Sequence, residues 1–126
     1  MDSREIDIYV AMQEGLYLYD APGNALIRIS SKDIRAVTGK QDFVANAPVN
    51  LIYVVDKTKC GKFGGNAEFY GATDTGFISQ NVYLFCASEG LNTVVRGWLD
   101  QDALSKAMNL RPDQKITLTQ TVGYRK

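Results

Sequence analysis

Residues 5–10, EIDIYV, alternate charged and apolar side chains with a period of two, as a half-buried strand does. Leu16-Tyr17-Leu18-Tyr19 continues in β-type residues after Gly15, so Gln13-Glu14-Gly15 reads as a hairpin turn. Asp20-Ala21-Pro22-Gly23-Asn24 is a second turn, and Ala25–Ile29 is a third short strand. Tight turns between three strands predict an antiparallel meander. Ser31 is placed to cap a short helix over Lys32–Val37 that Gly39 ends, and Gln41–Asn46 reads as another helical turn. Pro48 then opens Val49–Val55, whose run Leu51-Ile52-Tyr53-Val54-Val55 is apolar at every position. Such a run predicts a central strand buried on both faces. Lys57–Gly65 has no periodicity and reads as a Lys/Gly loop.

The helical period begins at about Ala67 and continues to Glu89, where Gly90 suits the position just past a helix end. Such a helix is roughly 33 Å long. Tyr70, Phe77, Ile78, Val82, Leu84 and Phe85 do not fall on one narrow stripe, so a central or interface helix is expected. Gly76 inside it costs about 1 kcal/mol relative to Ala, which close approach of another backbone would offset. Thr93-Val94-Val95 is a short β-branched strand, and Arg96-Gly97-Trp98 is a corner. Asp100 then caps a helix over Gln101–Met108, with Ala103, Leu104 and Met108 on its apolar face. Lys115–Val122 alternates cleanly as a final strand. Together these elements predict an α+β fold, an antiparallel-rich mixed sheet packed with a long central buried helix.

Composition narrows the chemistry. The chain has 126 residues, one domain's worth, and 45% of them are hydrophobic. Lys+Arg and Asp+Glu are 14 each, so no electrostatic capture of nucleic acid or of an anionic membrane is expected. The longest apolar run, Val82–Ala87, is too short to span a bilayer, and MDSREIDIYV is not a signal peptide. A soluble cytoplasmic protein is the expectation. Histidine is absent, which excludes Ser-His-Asp and Cys-His catalysis. Cys86 belongs in the core. Cys60, among Lys57, Lys59 and Lys62, reads either as an exposed loop thiol or as one activated by its lysines. The strand end at Arg96-Gly97-Trp98 is the candidate site, since open sheets hold ligands at the carboxyl ends of strands.

The order Gly76-Phe77-Ile78-Ser79-Gln80-Asn81, Gly90, strand, Arg96-Gly97-Trp98, Leu110-Arg111-Pro112-Asp113, strand and Val122-Gly123-Tyr124 resembles the C-terminal half of the nitroreductase family. The resemblance runs from Ile6 onward and covers most of the chain. It implies an FMN-dependent oxidoreductase that takes hydride from NAD(P)H, passes it to a small acceptor and works as a homodimer. It places Val95, Arg96 and Gly97 beside the flavin ring, where backbone N–H groups approach the N5 edge and favour its reduced state. Arg96 departs from the family's Gly or Glu. It reads either as reaching a phosphate or anionic reduced flavin, or as a surface ion-pair partner. Arg125 and Lys126 match, by position, basic residues set against the FMN phosphate, or else form a solvated terminal pair. Gln80 and Asn81 match recurrent polar helix positions that need hydrogen-bond partners if buried.

The family's Arg-rich helix start and its Pro-Ser-x-x-Asn segment do not occur in this sequence. The resemblance therefore implies a domain lacking the family's N-terminal half, whether a fragment, a natural truncation or a degenerate relative. A non-catalytic relative that dimerises through the Tyr70–Ser88 helix and binds no flavin is the alternative. A small-molecule module built around Arg96 and Trp98 is a third reading.

Overall fold

A computed structural model describes residues 5–59 and 67–124, with the side chains of 67–70 left aside. Among the described residues six strands form one sheet: β1 Ile6–Met12, β2 Gly15–Asp20, β3 Ala25–Ser30, β4 Val49–Asp56, β5 Leu91–Arg96 and β6 Gln114–Tyr124. Their order is β3-β2-β1-β4-β6-β5. The α+β class holds. Each of the described pairs is antiparallel, so the parallel component of the expected mixed sheet is absent among them. The reason is the insertion of β6 between β4 and β5, running against both.

The meander forms as its alternation predicts. Met12 pairs with Gly15, leaving two turn residues between β1 and β2. A Cβ at Gly15 would strike the Ser30 carbonyl, and its φ of +151° also favours glycine. Between β3 and β4 the expected helix over Lys32–Val37 shrinks to one 3-10 turn, Arg35–Val37, followed by a second at Asp42–Ala45. Ser31 does not cap it. The Asp33 carboxylate accepts from the Arg35 backbone N–H at 3.1 Å and its guanidinium at 2.9 Å, closing the chain locally before a longer helix can start.

Helix α1, Ala67–Glu89, and helix α2, Gln101–Met108, have the bounds read from the sequence. Gly90 takes a φ of +71° just past α1. Asp100 caps α2 by accepting from the Ala103 N–H at 3.0 Å, and Asn109 ends it in the left-handed region.

One sheet face carries the apolar core: Tyr9, Ala11, Ile52, Val54 and Ile116, with Leu16 and Ile34, under Leu104 and Met108 of α2. Burying such side chains contributes about 1.5–3 kcal/mol each. The opposite face packs against α1, and the contact is small and polar. Gly71, Thr75, Ser79 and Cys86 form the buried stripe of α1. A Cβ at Gly71 would strike Val55. Beneath them Tyr53 donates to Gln120 Oε1 at 2.6 Å, and Gln120 Nε2 donates to Thr93 at 3.0 Å. Burial pushes the Tyr53 hydroxyl far above its ordinary pKa, so it stays a donor. Cys86 lies in the core as expected, and Cys60 lies outside the described residues.

The outer face of α1 is the reverse. Phe77, Leu84 and Phe85 are 69%, 59% and 59% exposed. The expected buried helix is therefore buried on one side only within this chain. Gln80 and Asn81 are exposed as well, so burial does not oblige either to find a partner. A Cβ at Gly76 would meet nothing within 4 Å, so no backbone of this chain approaches it.

Asp56 ends β4 almost buried. Burial alone would raise its pKa, but hydrogen bonds from Thr58 and Arg111 outweigh it and hold the carboxyl below its usual range. A depressed carboxylate pKa stabilises the fold above the unfolded pKa and loses that contribution as pH falls. The stability of wild type, measured by urea denaturation, should therefore fall as pH drops below about 4. Asp56→Asn should lose less over the same window. Equal acid slopes for the two proteins would contradict this role.

Candidate functional site

Among the described strands β5 lies at one edge of the sheet, paired with β6. Its carboxyl end brings together Val95, Arg96 and Gly97, three of the five residues assigned from the sequence. Arg125 and Lys126 lie outside the described residues. Gly97 and Trp98 are exposed, Trp98 at 61%. A Cβ at Gly97 would meet only Leu118 Cδ2, at an ordinary 3.6 Å. Leu118 in turn lines a cleft of about 340 Å³ with Val55, Ala72, Gln101, Lys115, Ile116 and Thr117. That volume is at the lower end of small-molecule pockets. Sequence reasoning missed the cleft wall, because it forms at a register shift between β4 and β6. The shift leaves Thr117 between the pairs Tyr53–Leu118 and Val54–Ile116.

The backbone at the corner is partly committed. The Val95 N–H donates to the Tyr83 hydroxyl of α1 at 2.8 Å. That ties the helix to the strand one residue before Arg96 and occupies one of the donors expected to face a ligand. The Trp98 carbonyl accepts from the Lys40 N–H at 3.1 Å, joining the corner to the segment after the first 3-10 turn.

The Arg96 side chain points inward, and its residue is 4% exposed. Its Nε donates to Thr121 Oγ1 at 2.8 Å, Nη1 to the Thr38 carbonyl at 2.8 Å and Nη2 to Asn50 Oδ1 at 3.0 Å. Neither sequence reading of this side chain, phosphate ligand or surface ion pair, describes that geometry. All of these partners are neutral. Burial pulls the guanidinium pKa down to about 10, which leaves it charged at neutral pH. Three neutral acceptors on separate stretches of chain could not be foreseen from spacing alone.

The cleft beside the corner has a mostly apolar lining, with Gln101, Lys115 and Thr117 as its polar members. The walls Val55, Ile116 and Leu118 are apolar, and a bare glycine stands at the edge. A phosphate needs a cation, and the Arg96 guanidinium is already committed inside.

A six-stranded antiparallel sheet with a helix on each face, and a cleft at the end of its edge strand, defines an α+β domain of one recognisable class. The chain belongs to the Nitroreductase family, which matches residues 3–124. A nitroreductase homologue of Methanocaldococcus jannaschii is 28% identical over 107 residues, covering 81% of this chain and 54% of that protein. The crystal structure of a nitroreductase homologue from Ralstonia eutropha JMP134 superposes with a TM-score of 0.90 at 38% identity. It covers 98% of this chain and 60% of that one. The NADPH:FMN oxidoreductase of Vibrio harveyi, complexed with NAD+, shares the fold with a TM-score of 0.69 at 17% identity. That match covers 98% of this chain and 51% of the oxidoreductase. The chain thus spans little more than half the length of these relatives. No helix among the described residues is long and apolar enough to cross a membrane.

Tyr83→Phe removes the acceptor of the Val95 N–H and should cost about 1 kcal/mol of stability. Amide exchange at Val95 should accelerate more than at neighbouring strand positions. Unchanged exchange at Val95 would show that the hydroxyl does not hold the strand.

Proposed function

We propose that this domain forms the flavin-edge part of a nitroreductase-like oxidoreductase, with the ring of FMN lying against Gly97 and Leu118. The observation that carries the reading is the exposed Gly97 corner beside an apolar cleft, in a chain of this family. When bound, FMN supplies hydride acceptance from NAD(P)H and delivery to a small acceptor. The chain's own part is to seat the ring edge on Gly97, exclude water with Val55, Ile116 and Leu118, and present backbone donors. Lys115 stands in the cleft wall, and Arg125 and Lys126 remain the proposed phosphate contacts. No side chain here needs to act as a general acid or base, which agrees with a sequence without histidine.

The same reading makes the domain a homodimer through α1, in the cytoplasm. Phe77, Leu84 and Phe85 recur at one helical face, opposite the small stripe that meets the sheet. Leaving three large side chains wet is costly, and the open flank at Gly76 admits a second backbone. One observation favours the non-catalytic alternative: the guanidinium nearest the corner is spent on neutral internal acceptors.

Gly97→Ala adds a methyl group that this chain tolerates but that would intrude on a ring. FMN added to wild type should shift its visible absorbance, and Gly97→Ala should bind about tenfold more weakly with an unchanged urea midpoint. If wild type takes up no FMN, the flavin reading fails for this chain and the non-catalytic alternative is favoured. For the dimer, Leu84→Asp should convert a two-chain species into a folded monomer in sedimentation at micromolar concentration. A monomeric wild type would refute the α1 interface.

A further inference from the structure

We propose that Arg96 is a positioning residue: its buried guanidinium clamps residues 38–41 against the end of β5 and so fixes the Gly97–Trp98 corner. The inference rests on the flavin-edge reading for its consequence, but not for its geometry.

The clamp joins four separate pieces of chain. Arg96 Nε reaches Thr121 on β6, and Nη2 reaches Asn50 on β4. Nη1 reaches the Thr38 carbonyl, which also accepts from Thr119 Oγ1 at 3.0 Å. The acceptors are themselves held. Asn50 Nδ2 donates to the Val44 carbonyl at 2.8 Å, Thr121 Oγ1 donates to Asn50 Oδ1 at 2.7 Å, and Thr38 Oγ1 donates to the Arg35 carbonyl at 2.7 Å. The two 3-10 turns are thereby fastened to the sheet through the shell of one cation. From Thr38 the chain runs two residues to Lys40, whose N–H holds the Trp98 carbonyl. A loop from Arg96 through Thr38 and Lys40 back to Trp98 is closed.

Gly39 shows how tightly it closes. A Cβ there would strike Arg96 Nη1 and lie 2.9 Å from Gln41 Oε1. Gln41 Oε1 is buried without a hydrogen-bond partner among the described residues, an unmet cost in this segment. Lysine cannot replace the fork, since one ammonium cannot span Thr38, Asn50 and Thr121 in a plane. The expected consequence is a corner preformed before any ligand arrives. Preorganisation of that kind lowers the cost of binding.

The test is native-state amide exchange on ligand-free protein, comparing wild type with Arg96→Met, Arg96→Lys and Gly39→Ala. The Lys40 amide should lose about tenfold or more of its protection in all three variants. The Tyr9 and Leu18 amides of the β1–β2 ladder should change far less. Equal losses at Lys40 and in that ladder would reduce Arg96 to a general stabiliser and overturn the proposal, as would unchanged Lys40 protection. Should Arg96→Met not fold, Gly39→Ala gives the same readout, because it displaces the guanidinium without deleting it. Gly39→Ala should also be less harmful in the Arg96→Met background than alone. An additive double variant would count against the contact. In a second arm, Arg96→Met should weaken FMN binding about tenfold. Wild type that binds no FMN would defeat the flavin reading, while the exchange result would still decide the clamp.

Discussion

The structure depends on a positive charge kept inside it without a negative one. A buried guanidinium whose partners are all neutral persists only where the acceptors are already in place. Here Thr38, Asn50 and Thr121 supply them, and each is held by a further hydrogen bond. The requirement reaches well beyond Arg96. It fixes where the 3-10 turns sit, why residue 39 has no side chain and how β5 ends. The exposed corner follows directly on a residue whose side chain is held by these hydrogen bonds.

The two faces of the sheet solve the packing problem in opposite ways. Under α2 the contact is aliphatic and would suit many sequences of similar volume. Under α1 it is small and hydrogen-bonded, with Tyr53, Gln120 and Thr93 satisfying one another. Small residues at Gly71, Thr75 and Ser79 let the helix lie close to the sheet. The large apolar residues are left for the outside. The proposed cover for them is another copy of the same chain.

Much of the fold was legible in the sequence because its signals are local. Period-two alternation gave β1 and β6, the Leu51–Val55 run gave the central position of β4, and Gly90 and Asp100 marked helix ends. What failed was also physical. Ser31 as a cap lost to Asp33, a competitor that local propensity does not rank. The facing of α1 was hidden because its stripe toward the sheet is built of small residues, while its outer face mixes large apolar side chains with polar ones such as Gln80 and Asn81. At the site, Gly97 was readable as a bare turn at a strand end. The inward turn of Arg96 was not, since it needs three distant acceptors, and the cleft wall at Leu118 needs a register shift that no periodicity records.

The central claim is that Gly97, Trp98 and the Leu118 wall are a ready-made edge for a flavin ring. Titrating isotopically labelled protein with FMN and following backbone amide shifts tests it most directly. The account predicts perturbations concentrated at Gly97, Trp98 and Leu118, with the β2–β3 hairpin silent. Shifts confined to that hairpin, or none at saturating FMN, would contradict it.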